Sequence, residues 1–233
     1  MKYNSNLNIR VAALVILLAA ASQSVTINAQ QSIGFGVHAN PLIGWFRSDN
    51  SSVPGKGANA GFNFGASVYK YFSDNYALSA GINLVNAGGS LSYSDTTILN
   101  LKNNKRIKAF PKSKLVYNVK YLALPVGLKL RTNEIGYISI FTDIGLDPKF
   151  IIGGKVEVPS QDIGKENARK ELKTMGLGYH AIGGIEYSLG GTSSVVLGIN
   201  FDNNFTNIMK KHSNRQSAKI THKMFGLYVG MNF

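Results

Sequence analysis

The last eleven residues, Lys223 to Phe233, confine the fold more than any other stretch. Phe225, Leu227, Val229, Met231 and Phe233 recur at every second position, with Gly226, Tyr228, Gly230 and Asn232 between them. A period of two puts the two sets on opposite faces of one β-strand. One face suits hydrocarbon, and the other suits a narrow interior of small and polar groups.

The same alternation returns along the chain. Ile33, Phe35, Val37 and Ala39 alternate with Gly34, Gly36, His38 and Asn40, and Phe62, Phe64, Ala66 and Val68 with Gly61, Asn63, Gly65 and Ser67. Five further strands are predicted with outward sets at Tyr76–Leu84, Leu122–Leu130, Ile138–Leu146, Met175–Tyr187 and Val195–Phe201. With the final strand the count is eight. Ser73-Asp74-Asn75, Thr132-Asn133-Glu134 and Gly190-Gly191-Thr192 read as short turns. Four long connections are expected, over about residues 47–59, 86–114, 153–174 and 203–218. The third has charges of both signs and room for a short helix. Long and short connections alternate strictly, which is the asymmetry of a barrel spanning an outer membrane, with periplasmic turns and surface loops. Trp45 and Phe46 are expected in one aromatic girdle, and Tyr69, Tyr71, Phe72 and Tyr76 in the other. Pro41 and Pro125 fall inside proposed strands, where a closed barrel has no free edge for them, so each predicts a bulge or a break in pairing.

Composition narrows the alternatives. The 233 residues fit one all-β domain, and with no cysteine there is no disulfide framework, Cys metal site or Cys nucleophile. The formal net charge of +13 suits nucleic acid or anionic lipid. An export signal argues against nucleic acid. Lys2 and Arg10 flank a positive start, Val11–Ala21 form an apolar core, and cleavage is expected after Ala29. The predicted organisation is thus a signal peptide over 1–29 and a barrel domain over 30–233. No body segment is apolar for long enough to cross a membrane as a helix.

At the level of whole stretches, ANPLIGWFRSD, NYALSAGI, KYLALPVGLKLRTNEIGY, FTDIGLDPKF, GGIEYSLGG and LGINFDNNFTNI resemble the small outer-membrane β-barrel proteins of Bacteroidota, of PorT or porin-family type. The resemblance covers nearly all of the mature chain. It implies an eight-stranded antiparallel up-and-down barrel, integral to the outer membrane. It also implies a link to type IX secretion. The final strand is similar to the one that closes such barrels, so Phe225, Leu227, Val229, Met231 and Phe233 are the expected insertion signal. Ala123 stands where the family often has an acidic residue.

The inward set supplies the candidate chemistry. An eight-stranded barrel is just wide enough for its own side chains to fill it. Lys129 and Arg131, Asp143 and Asp147, and Glu186 come from adjacent strands, and buried charges need partners. They predict a lumenal ion-pair network whose plain role is to hold the barrel shut, a proton or ion path being the rival. His38 and His180 also face inward, without the spacing of a metal site; no metal or cofactor is expected. His212 and His222 read as loop and strand-edge residues. Residues such as Ser139, His180 and Glu186 could be assembled into a lipid-modifying enzyme, and no local signature joins them. A soluble carrier needs the opposite faces, apolar within and polar without. Lys102, Lys105, Arg106, Lys108, Lys112 and Lys114 form a basic loop, either solvated surface or a site for lipopolysaccharide phosphates. On the second reading, charge reversal at Lys102, Lys105, Arg106 and Lys108 weakens lipopolysaccharide association. Secretion-machine proteins are the other expected partners. An adhesin-like surface barrel is the alternative function.

Overall fold

The computed structural model describes residues 33–101, 106–210 and 218–233. The expected signal peptide, Lys102, Lys105 and His212 lie outside the described residues.

Eight staves close into one antiparallel wall. They are β1 (Ile33–Ser48), β2 (Gly55–Ser73), β3 (Tyr76–Ser92), a fourth stave split into β6 (Lys114–Ala123) and β7 (Val126–Arg131), β8 (Ile138–Val158), β10 (Met175–Gly190), β11 (Ser193–Asn204) and β12 (Ile220–Asn232). Each stave pairs with the next in the chain, and β12 returns to β1 with Val37 opposite Met231 and Ile43 opposite Phe225. This is the eight-stranded barrel expected from the alternation. Two small additions lie outside the wall order. β4 (Thr97–Asn100) and β5 (Arg106–Ala109) make a hairpin after β3, and β9 (Ile163–Asn167) folds back on β8. The third connection holds two 3₁₀ turns, Pro159–Gln161 and Arg169–Glu171.

Outward residues meet the expected faces. Leu124, Leu128, Ile199 and Val229 are exposed, whereas Lys129 and Glu186 are 2% and 5% exposed. At the turn between β10 and β11, Gly190 and Gly191 take φ of 96° and 64°. Side-chain-bearing residues avoid that region, so the tight hairpin needs glycine there.

Proline interrupts the wall without shifting it. Ala39–Pro41 lose their pairing to β12, yet the register is the same at His38–Gly230 and Leu42–Gly226. Asn40 Oδ1 accepts from the Val229 N–H at 3.3 Å, replacing one lost ladder bond. Pro125 divides the fourth stave in the same way, with register kept against β3 and β8. The sequence reading passed over a third proline. Pro148 in β8 accepts from the Leu124 N–H at 2.9 Å, so its missing donor points at the interruption that Pro125 already makes.

Strand length overturns the loop boundaries. A tilted strand crosses a bilayer in about 9–11 residues, but β8 has 21 and β2 has 19. β8 therefore continues to Val158 and β3 to Ser92, through stretches expected to be loop. In this surplus the faces exchange character. Along β6 the inward residues are Leu115, Tyr117, Val119 and Tyr121, all nearly inaccessible, while Lys114 and Lys120 point out. Further down the same stave the inward residues are Gly127 and Lys129. The reason is the solvent outside: beyond the bilayer it is water, and apolar groups turn inward as in a soluble protein. Leu42, Val85, Leu91, Ile151, Leu172 and Met224 join this outer core. Phe46, expected in a girdle, is 3% exposed within it, and only Trp45 faces outward. Likewise Phe72 and Tyr76 stack on the outside with centroids 6.1 Å apart, whereas the Tyr69 side chain is buried in the lumen.

Bulges in β2 bring β1 and β3 close at the base of the outer core. A Cβ on Gly44 would lie 2.6 Å from Gly88 O and 2.8 Å from His222 Nε2. Gly44→Ala is expected to destabilise the barrel by about 1–3 kcal/mol, the cost of overpacking, as read by the urea midpoint in detergent. An unchanged midpoint would mean the two strands separate freely.

Candidate functional site

Parity of the strands decides what enters the lumen, and the register decides what meets. Near the turn end, Lys129 on β7 donates to Glu186 on β10 at 2.5 Å. Its ammonium also sits 4.2 Å from the Tyr69 ring centroid and 5.2 Å from that of Phe141, so the cation is held by charge and by aromatic faces together. Asn232 on β12 donates to the same carboxylate. Arg131 lies 4.0 Å from Glu186 but is 39% exposed, stacks on Tyr71 and gives its Nε to Asp74 O at 3.0 Å. It is a mouth residue more than a buried one.

One layer higher, His180 lies between two carboxylates of β8. Its Nδ1 is 2.6 Å from Asp147 and its Nε2 is 3.4 Å from Asp143. An imidazole serves both only when each nitrogen carries a proton. Ser79 Oγ donates to Asp143 at 2.9 Å. His38 lies across the lumen with Nδ1 3.2 Å from the Tyr228 hydroxyl. The two histidines thus have separate partners and do not form a ligand pair.

The third layer was not foreseen. Lys149 on β8 bonds the Asp202 carboxylate, reaches Asn204 Oδ1 at 3.0 Å and lies 3.6 Å from Asp147. Parity had put Asp202 inside, but the sequence reading ended the strand before Lys149. With the imidazolium, three basic side chains (Lys129, Arg131, Lys149) give four positive charges. They face four carboxylates, Asp143, Asp147, Glu186 and Asp202. The charges balance only when Arg131 at the mouth is counted with the buried groups.

Above this lies the apolar outer core, where His222 is fully buried rather than at a strand edge. Its Nδ1 is 2.7 Å from the Tyr121 hydroxyl and its Nε2 donates to Gly88 O at 3.2 Å. Two cavities among the described residues bear on these layers. One of about 310 Å³ opens at the turn end between Tyr71, Arg131, Ser139, Glu186 and Asn232. Another of about 40 Å³ lies among His38, Asn63, Asn83, Asp143 and Asn200, room for a few waters. Ser139 and Glu186 face each other across the β8–β10 ladder. His180 is six residues further along β10, about 20 Å away by strand rise. These three groups cannot act as one catalytic unit.

Of the basic loop, Arg106 and Lys108 are exposed on β5, Lys112 has φ 61° beside the hairpin, and Lys114 opens β6.

The sequence profile of a family described as "Outer membrane protein beta-barrel domain" matches residues 22–210. No curated protein matches the chain. Among solved structures, similarity is found to Neisserial surface protein A of Neisseria at 12% identity, covering 85% of this chain and 95% of that one, with a TM-score of 0.48. OprG of Pseudomonas aeruginosa matches at 10% identity, 89% and 99% coverage and TM-score 0.47. The outer membrane protease OmpT of Escherichia coli matches at 11%, with 91% and 99% coverage and TM-score 0.44.

Proposed function

The chain belongs to the outer membrane protein β-barrel domain family, and on that premise we propose that it is a non-enzymatic scaffold of a secretion or envelope machine, with PorT-like service to type IX secretion as its specific role. Its short turns then face the periplasm and its long loops the exterior. The observation that carries the reading is the filled lumen. Three ion-paired layers occupy the bilayer half, and Leu42, Phe46, Leu115, Tyr117 and Leu172 pack the outer half. Among the described residues, side chains fill the lumen and leave little room for a solute path. What the barrel offers is a rigid wall and a mouth open toward the periplasm, where a machine component is reached. The stretches resembling PorT-type barrels support the narrower role.

Two measurements test it. Purified protein in planar bilayers is expected to give no conductance steps, and steady channels would remove the scaffold reading. Deletion of the gene is expected to block export of secreted proteases, whereas intact export would discard the type IX role. Crosslinked pull-down from intact envelopes identifies the partner. The adhesin-like alternative draws on the β4–β5 hairpin, where Ile98 and Phe110 are exposed near Arg106 and Lys108. Cell attachment lost on deletion, with export intact, would favour it. A lipid-modifying enzyme ranks third because Ser139 and His180 stand apart; turnover of lipid A by the pure protein would restore it.

A further inference from the structure

The outer wall has a polarity that the loops do not share. On each stave one can ask which polar side chain follows the last apolar one facing lipid, moving toward the loop end. On β12 it is Lys223 above Phe225, and on β1 it is Arg47 above Ile43 and Trp45. On β2 it is Lys56 above Phe62 and two alanines, on β6 Lys120 above Leu122, and on β8 Lys155 above Ile152. The register makes these neighbours. Lys223 faces Trp45, Lys120 faces Asn86 of β3 and Gly153 of β8, and Lys155 faces Asn118. The cations fall in two groups, Lys223, Arg47 and Lys56 on β12, β1 and β2, and Lys120 and Lys155 on β6 and β8. Between the groups β3 gives Asn86, which pairs with Phe62 and Lys120, while Lys56 lies level with Ser90 and Leu91. Adjacent strands are about 4.8 Å apart, so within each group the charges stand at spacings a doubly phosphorylated headgroup can span. Among the described residues, none of the five is in an ion pair. The remaining sector is different. On β10 and β11 the same height carries Tyr179, Phe201 and Phe205, with centroid distances of 6.1 and 5.2 Å.

We propose that this arc, Arg47, Lys56, Lys120, Lys155 and Lys223, is a docking surface for the phosphates of lipopolysaccharide in the outer leaflet. It deepens the assignment to the outer membrane and does not depend on the secretion role. Two features single out this lipid. The cations stand immediately above the hydrocarbon-facing band, the depth at which a lipid's phosphate lies, and they face sideways into the leaflet rather than up into water. The loop cations Arg106, Lys108 and Lys112 belong to the hairpin region, whose Leu99, Ile107 and Ala109 pack into the outer core while the cations meet solvent. The contact thus sits on the wall and not on the basic loop that the sequence alone brings forward.

The test compares two triple variants of the full-length barrel: Lys120→Glu, Lys155→Glu, Lys223→Glu on the wall, and Arg106→Glu, Lys108→Glu, Lys112→Glu on the loop. Lipopolysaccharide bound per barrel in detergent is titrated, with chemically dephosphorylated lipopolysaccharide as the second probe. Each cation near an anionic leaflet contributes about a factor of five in binding, so the wall variant is expected to bind roughly 100-fold more weakly. The loop variant is expected to stay within about twofold. Wild type is expected to bind the dephosphorylated probe as weakly as the wall variant binds the intact one. Equal losses in the two variants, or undiminished binding of the dephosphorylated probe, would overturn the proposal. Should the reversals fail to insert, Lys→Gln at the same three positions must weaken binding and Lys→Arg must preserve it.

Discussion

Glu186→Ala is expected to destabilise the barrel by about 3–5 kcal/mol, the cost of leaving a buried charge without its partner. Lys129 is 2% exposed and its counter-ion comes from this one carboxylate at 2.5 Å. Neither Tyr69 nor Phe141 can replace it, since a ring face compensates only part of an ammonium's lost hydration. The double variant Lys129→Met, Glu186→Leu removes both charges and should recover most of the loss. Arg131→Ala is the contrast. Arg131 is 39% exposed and 4.0 Å from Glu186, so its removal is expected to cost less than about 1 kcal/mol. Urea midpoints in detergent, or the temperature at which the barrel loses its compact gel mobility, measure all three. Equal midpoints for Glu186→Ala and Arg131→Ala would mean that water reaches Lys129 and that the lumen is wetter than its geometry.

Val229→Arg is the second large effect. Val229 is the middle of the five outward-facing residues from Phe225 on β12 to Phe233 just after it. An arginine there meets hydrocarbon at the centre of the band, with an expected loss of about 2–4 kcal/mol. Lys223→Arg, on the same face of the same strand but above the band, should be neutral within about 0.5 kcal/mol. The measurement is folding into vesicles from urea. If both positions tolerated arginine equally, β12 would not be facing lipid at Val229. Because this strand also holds the expected insertion signal, assembly in cells should fail more completely than refolding in vesicles does.

Much of this was open to reading because a period of two survives every local irregularity. It brought Lys129, Asp143, Asp147, His180 and Glu186 to one interior without any knowledge of the register. It also put Leu124 and Leu128 outside on a stave divided by Pro125. What it could not show is which solvent lies beyond the wall. Tyr117 and Val119 alternate with Asn118 and Lys120 as regularly as Leu128 does with Lys129, but the sense is reversed, and alternation looks the same either way. The outer halves of β3 and β8 were therefore taken for loop. Lys149 lies beyond the expected end of β8, next to Pro148, whose absent donor falls where Pro125 had already opened the ladder. His222 was misjudged because its polar character hid an inward position among Phe46, Tyr121 and Met224, where ring contacts at 4.7 and 5.7 Å hold it.

The missing pairing at Ala39–Pro41 makes the seam between the first and last strands uneven. The start of β1 meets the residue after β12 at the turn end, where Phe35 and Phe233 exchange two backbone bonds at 3.0 and 2.8 Å. A pull that separates those ends peels the cylinder like a zip, and the zip has teeth missing after Gly36, Val37 and His38. Peeling therefore comes in two stages, with a short lower run giving way first and the run from Leu42 to Ser48 holding the tube shut above it.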